Sequence, residues 1–275
     1  MIVHLLDGTY ELFRHFYGLR RFNTGEDSPF GAVNGVLHSI LQMIETGATH
    51  VGVATDHVIE SFRNDLWSGY KTGEGIEPAL LAQFRPLEDA LRAMGVAVWP
   101  MTDLEADDGL ASAAQIASGN EEVERVCIWT PDKDLAQCVR GARVVQVDRK
   151  NHKILDAEGV RAKFGVAPVL IPDFLALVGD SADGYPGIPG IGPVKAARLV
   201  NRYGVIENFP PAALSEERRE AALLFKDLAT LRTDARLFRD VDELRWRGPT
   251  EAFAACSKRL GDARLLERSL KALAK

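Results

Sequence analysis

The sequence predicts an α/β fold in which a central, mainly parallel sheet is flanked by helices, followed by a region that is helical throughout. Short apolar runs at 2–7, 50–55, 96–99, 126–130 and 143–147 read as buried strands. Helical patterns near 9–17, 31–46, 78–94, 105–118 and 132–139 alternate with them, as a parallel sheet covered on both faces requires. After residue 150 the alternation stops, and helical patterns follow near 156–164, 170–178, 193–203 and 216–230. The expected division is therefore an α/β core over 1–155 and a helical region over 156–275.

Three of these runs lead into acid. Ile2 to Leu6 leads to Asp7, His50 to Thr55 to Asp56, and Val126 to Thr130 to Asp132 and Asp134. The run Glu105-Ala106-Asp107-Asp108 opens a helical pattern, and Asp180 and Asp183 share an i, i+3 spacing. Around a helix axis, Glu105 and Asp108 stand roughly 60° apart, with Asp107 about 100° from Asp108, so they can face one ion. Close carboxylate pairs repel by several kcal/mol at an effective dielectric near 20, and a divalent cation removes that cost. Oxygen ligands without a Cys/His cluster select hard ions, Mg²⁺ or Mn²⁺, over Zn²⁺. Any one of these acids is explained by capping a helix or ending a strand. The set of nine points to a metal site at the strand tips, where open α/β sheets bind their ligands.

With 275 residues and 46% hydrophobic content, the chain can bury a substantial core. No apolar run reaches membrane-spanning length and Met1 leads straight into a strand-like segment, which predicts a cytoplasmic protein without membrane contact. Cys127, Cys138 and Cys256 are odd in number and suit buried thiols better than a disulfide framework. The net charge of −6 does not exclude a nucleic-acid partner. Residues 1–200 carry 27 acids and 18 bases, and setting the nine clustered carboxylates aside leaves them balanced.

Two segments suit substrate handling. Between Asp56 and Glu105, the stretch Ser61 to Gly75 is poor in apolar periodicity and carries Arg63 and Lys71 among Phe62, Trp67 and Tyr70, as a surface loop or short helical pair at the active end of a sheet does. Gly184 to Gly192, Gly-Tyr-Pro-Gly-Ile-Pro-Gly-Ile-Gly, is followed by Pro193 opening a helix with Lys195 and Arg198. Backbone N–H groups at Gly190, Ile191 and Gly192 ahead of a helix N-terminus make an anion site, with Lys195 adding charge. Beyond residue 210, Arg218, Arg219, Arg232, Arg236, Arg239, Arg245 and Arg247 read mostly as solvated faces paired with nearby acids.

Taken in order, these motifs resemble the bacterial and phage 5′ nucleases of the flap endonuclease family, including the N-terminal nuclease domain of bacterial DNA polymerase I. The resemblance covers about residues 1–205 and rests on Leu6-Asp7-Gly8 with Arg14, on Asp56 with Ser61-Phe62-Arg63 and Tyr70-Lys71, on Glu105-Ala106-Asp107-Asp108, on Thr130-Pro131-Asp132-Lys133-Asp134-Leu135, and on Gly179-Asp180 through Asp183 into Gly187 to Gly192. It implies a PIN-like 5′ nuclease core, a helical arch at about 61–85 and a helix-three-turn-helix at about 170–204. It also implies two Mg²⁺ sites, with Mn²⁺ as a substitute. One corresponds to Asp7, Asp56, Glu105, Asp107 and Asp108, the other to Asp132, Asp134, Asp180 and Asp183. Lys71 corresponds to the arch lysine near the scissile phosphate and Arg14 to a basic residue beside it, both in catalytic roles. Arg63, Tyr70, Gly190, Ile191, Gly192, Lys195 and Arg198 fall at DNA-contacting positions, and the helix-three-turn-helix loop of the family often holds K⁺.

The implied activity is two-metal hydrolysis of DNA near single-strand/double-strand junctions, in replication and repair, on 5′ flaps, nicks, gaps or RNA primers. No polymerase sequence follows residue 275, so a free-standing chain is expected; a monomer is expected as well. Glu74 departs from the family, which often has a basic residue three positions after the arch lysine. Two alternatives stand beside this reading: a PIN-like ribonuclease, which would lack the grip at 184–203, and a catalytically silent branched-DNA-binding protein, which would be expected to lose acids.

Overall fold

The computed structural model describes residues 1–20, 28–149 and 153–274. A six-stranded sheet runs in the order β3-β2-β1-β4-β5-β6, from β1 (Ile2–Asp7), β2 (His50–Asp56), β3 (Ala97–Met101), β4 (Arg125–Trp129), β5 (Val144–Asp148) and β6 (Lys153–Leu155). The first five are parallel, and β6 pairs antiparallel to β5. Strands are added to one side of β1 and then, from β4 on, to the other, and this switch point opens a crevice at the C-terminal ends of β1 and β4.

Helices cover both faces. On one side, α1 (Gly8–Arg20), α2 (Gly31–Glu45) and α5 (Phe84–Ala93) bury Leu12, Leu37, Ile40 and Leu91 against Val51 and Val53 of β2. On the other, α6 (Ala106–Ser118) lays Leu110, Ala113 and Ala117 on Val3, Leu5 and Val126. The central strands β1, β2, β4 and β5 carry Val, Ile and Leu because they are largely buried on both faces. Gly52 lets a second element close in: a β-carbon there would stand 2.3 Å from the Trp99 ring.

The segment expected as an arch folds into α3 (Phe62–Leu66), turns, and α4 (Pro78–Leu81). Ser61 caps α3, accepting the Arg63 N–H and donating to Glu105. The turns pack against the loop at 179–192: Trp67 donates from its indole N–H to the Gly184 carbonyl, and the Lys71 N–H donates to the Asp183 carbonyl. Gly184, at φ +85°, lies so close that a β-carbon would stand 2.0 Å from the Gly69 carbonyl oxygen.

After α7 (Ala157–Phe164), α8 (Ile171–Val178), α9 (Pro193–Tyr203) and α10 (Glu216–Ala229) form a second core with Phe174, Ile188, Val200 and Phe225. Beyond α10 the chain returns to pack on the α/β core. Phe238 stacks on Trp99, and Trp246 donates from its backbone N–H to Thr49 and from its indole to Met94. The last helices, α11 (Phe253–Arg259) and α12 (Arg264–Leu273), bury Phe253, Leu260 and Leu265 beside α2 and α5, and Arg268 pairs with Glu45 at 2.7 Å. The three cysteines are unpaired. Among the described residues, no helix is long and apolar enough to cross a membrane.

Candidate active site

The crevice between β1 and β4 is ringed by carboxylates from three strand tips, one helix start and one turn. Asp7, ending β1, accepts the Tyr10 N–H at 2.8 Å and the Thr130 hydroxyl at 3.2 Å. Asp56, ending β2, accepts the Ala106 N–H at 2.7 Å, while its own N–H donates to the Thr9 hydroxyl. Asp132 follows β4, and its carboxylate accepts the Asp134 N–H at 3.1 Å. Asp180 and Asp183 belong to a tight turn, closed by the Gly184 and Tyr185 N–H groups on the Asp180 carbonyl, and not to a helical start.

Burial and mutual repulsion raise the affinity of these acids for protons. Burial pushes Asp7 up to about 7, and the charges of Asp56 and Asp132 add to it. Burial drives Asp107 well above the usual carboxylate range, reinforced by Asp132 and Asp7. The same holds for Asp134, through burial and then Asp132, Asp183 and Asp180. Burial likewise raises Asp56 and Asp183. Glu105 goes the other way: burial opposes its charge, but Lys71 and Arg63 outweigh it and hold its carboxyl below the usual range.

The donor set fits a hard divalent ion. Asp134, Asp180 and Asp183 bring one carboxylate oxygen each within 4.8 Å of one another. Asp134 Oδ1 is buried without a hydrogen-bond partner, which is costly unless a cation completes it. Two lysines reach the ring: Lys71 Nζ lies 2.8 Å from Glu105 and 3.0 Å from Asp183, and Lys133 Nζ lies 2.7 Å from Asp180.

Other expected site residues lie differently. Asp108 is fully buried, and its carboxylate already receives Arg63 through both terminal nitrogens, the Glu105 N–H and the Arg232 N–H. Four donors saturate its lone pairs, which removes it from the metal-facing set. Arg63, 1% exposed, and Tyr70, 4% exposed, are too buried to meet DNA; the Tyr70 hydroxyl faces Glu105 instead. Arg14 turns to Glu11 at 2.5 Å and to His15.

In the glycine-rich loop, Gly190 and Gly192 are exposed, whereas Ile191 is buried and its N–H closes a turn on Ile188, so it offers no anion donor. Lys195 and Arg198 are exposed on the first turns of α9. The Lys195 ammonium reaches the Gly190 carbonyl at 3.3 Å and Arg218 donates to the Pro189 carbonyl, so these two oxygens do not fit a K⁺ site. Of the later arginines, Arg232 pairs with Asp227, and Arg245 and Arg247 with Asp242.

Lys133, Ser61 and Thr130 stand in the motifs quoted from the sequence but received no site role there; for Lys133 its position between two site aspartates was the available signal. Each hydroxyl donates to a site carboxylate, a contact no spacing reveals.

A six-stranded, mostly parallel sheet with acids at its tips and a helical second core defines the class of resolvase-like α/β nuclease folds joined to a small helical domain. Residues 2–165 match the family model "5′-3′ exonuclease, N-terminal resolvase-like domain", and 166–252 match "5′-3′ exonuclease, C-terminal SAM fold". The chain belongs to the 5′-3′ exonuclease family.

A 5′-3′ exonuclease from Aquifex aeolicus is 33% identical over 208 residues, covering 75% of this chain and 71% of that protein. DNA polymerase I from Pseudomonas aeruginosa is 35% identical over 260 residues, 87% of this chain but 28% of the polymerase. The chain thus spans between 25% and 32% of the first polymerases it matches. Among solved structures, the T5 D15 protein co-crystallised with metal ions superposes at a TM-score of 0.68 with 15% identity, over 100% of this chain and 98% of that one. The catalytic core of Rad2 in complex with DNA superposes at 0.63 with 15% identity, over 98% of this chain and 91% of that one. At such identity these likenesses concern the fold.

Proposed function

We propose that this chain is a structure-specific 5′ nuclease, a 5′-3′ exonuclease and flap endonuclease that hydrolyses DNA phosphodiesters near single-strand/double-strand junctions in replication and repair. The observation that carries the reading is the buried cluster of Asp134, Asp180 and Asp183, with its unpartnered Asp134 oxygen, beside Asp7, Asp56, Asp107 and Asp132. Seven carboxylates at one crevice repel a phosphodiester, so the site suits that substrate only with cations present. Two Mg²⁺, or Mn²⁺ in their place, would be held by Asp7, Asp56, Glu105 and Asp107 on one side and Asp132, Asp134, Asp180 and Asp183 on the other. When bound, such ions stabilise charge on phosphate oxygens and make water more acidic.

This chain's own residues do the remaining work. Thr130 and Ser61 orient Asp7 and Glu105 through their hydroxyls and are not free to act as nucleophiles, which leaves water in that role. Lys71 supplies a charge at the mouth of the crevice that strengthens as phosphate charge develops. Lys195, Arg198 and the exposed Gly192 at the start of α9 meet the duplex backbone without reading bases. The products are a 5′-phosphate and a 3′-hydroxyl.

The test is cleavage of matched 5′-flap, nicked and blunt DNA with and without Mg²⁺, alongside Asp134→Ala. The wild-type protein should cut the junction substrates only with the ion. The variant should lose cleavage and keep duplex binding in Ca²⁺. Wild-type rates in Asp134→Ala would defeat the metal assignment.

A further inference from the structure

Arg63 is the bulkiest fully buried side chain of the described residues, and its guanidinium sits at a junction of three parts of the fold. Toward the crevice, its terminal nitrogens bond both oxygens of Asp108 at 2.7 and 2.8 Å, and one of them stands 3.3 Å from Glu105. Away from it, Nε donates to the Leu228 carbonyl at 2.8 Å and Nη2 to the Thr230 carbonyl at 3.2 Å, where α10 ends. Asp108 ties the same point further through the Arg232 N–H at 2.8 Å, and through the Glu105 N–H at 3.0 Å it holds the residue that opens α6. The planar fork makes all these bonds at once, which a lysine's single ammonium cannot.

We propose that Arg63 is a positioning residue for divalent-ion binding: with Asp108 it fixes Glu105 toward the crevice and anchors the end of α10 to the start of the site helix. The proposal rests on the metal-dependent reading above. It assigns Asp108 to holding a ligand in place and not to the ion itself. Partners that orient metal ligands typically change affinity by about 10–100-fold when removed.

The experiment is direct Mn²⁺ titration by electron paramagnetic resonance, without DNA, on the wild-type chain, Arg63→Lys, Asp108→Asn, and Arg63→Met combined with Asp108→Leu, with thermal unfolding of each. Asp108→Asn leaves the buried Arg63 charge without its carboxylate, and Arg63→Lys keeps the charge but not the fork of bonds, so both lose stability, whereas an apolar pair of similar volume avoids an unpaired charge. The double variant therefore separates folding from positioning. The expected result is a double variant that stays folded at the assay temperature, less stable than wild type because the Leu228 and Thr230 carbonyls and the Glu105 and Arg232 N–H groups lose their partners, with about 10-fold or weaker Mn²⁺ binding and no rescue of binding in Arg63→Lys. Wild-type Mn²⁺ affinity in the double variant, or in both single variants, would overturn the proposal. Absence of Mn²⁺ binding by the wild-type chain would instead overturn the metal-dependent reading and the proposal with it.

Discussion

The Lys71 ammonium lies 2.8 Å from a Glu105 carboxylate oxygen, and the same nitrogen lies 3.0 Å from Asp183. It thereby bridges the two carboxylate groups assigned to separate ions. Burial opposes its charge, but Glu105 and Asp183 outweigh that and raise its pKa well above the ordinary lysine value, so the group stays cationic at neutral pH. A cation at this position offsets the negative charge of both carboxylates, and in the proposed function it is the group that would meet the substrate phosphate.

Lys71→Ala should therefore slow chemistry more than it weakens binding. A donor aimed at developing oxyanion charge is worth about 10²–10³-fold in rate, whereas one phosphate contact among several contributes far less to duplex affinity. Single-turnover cleavage of a 5′-flap substrate, paired with binding in Ca²⁺, checks this. Matching losses in the two measurements would rule out a catalytic role.

Stability should fall with rising pH when no divalent ion is present. Asp7 titrates at about 7 in the fold against an ordinary 3.8, so between those values the folded chain keeps a proton that the unfolded chain has released. The folded state binds more protons there, and its stability drops as pH climbs from about 4 through about 7. Asp107 and Asp134 shift the same way and add to the slope. Thermal unfolding in EDTA should thus give a lower midpoint at pH 8 than at pH 5.5, and Mg²⁺ should raise the midpoint more at pH 8. A Mg²⁺ effect equal at both values would remove the carboxylates as its cause.

Much of this site is legible in the chain because Asp7, Asp56 and Asp132 each end or follow an apolar strand, and parallel strands end where ligands bind. Asp7, Asp56 and Asp132 could be placed on that logic. What faced Asp108 could not: helical spacing sets it beside Glu105, but its partner Arg63 lies 45 residues away, and only tertiary packing shows that the pair is sealed. Strand β6 is three residues long on a sheet edge, too short for a period to register. The return of the chain to the core was hidden for a similar reason. Phe238 and Trp246 lie in a stretch with little regular structure, so no periodicity marks their buried faces.

Gly184→Ala should disturb the site through the backbone. The residue adopts φ +85°, a region that suits glycine, and its β-carbon would press on the Gly69 carbonyl. The loop carrying Asp180 and Asp183 must then move from the segment carrying Lys71. A loss of roughly 1–3 kcal/mol is expected, with weaker Mg²⁺ dependence of the unfolding midpoint. Denaturant titration with and without Mg²⁺ measures both, and an unchanged Mg²⁺ increment would show that the contact does not shape the site.

Phe253→Ala tests whether the C-terminal return is scaffold. Phe253 is wholly buried beside Leu37, Leu91 and Leu265, tens of residues of chain away from any carboxylate of the crevice. Truncation should cost about 3–5 kcal/mol through lost burial and the cavity left behind. Because α11 and α12 pack on α2 and α5 and not on the glycine-rich loop, cleavage of a 5′-flap substrate below the unfolding range should keep its wild-type rate and duplex affinity. Urea titration and single-turnover assays at low temperature separate the two effects. A variant that stays folded yet binds duplex tenfold more weakly would place these last helices on the DNA path instead.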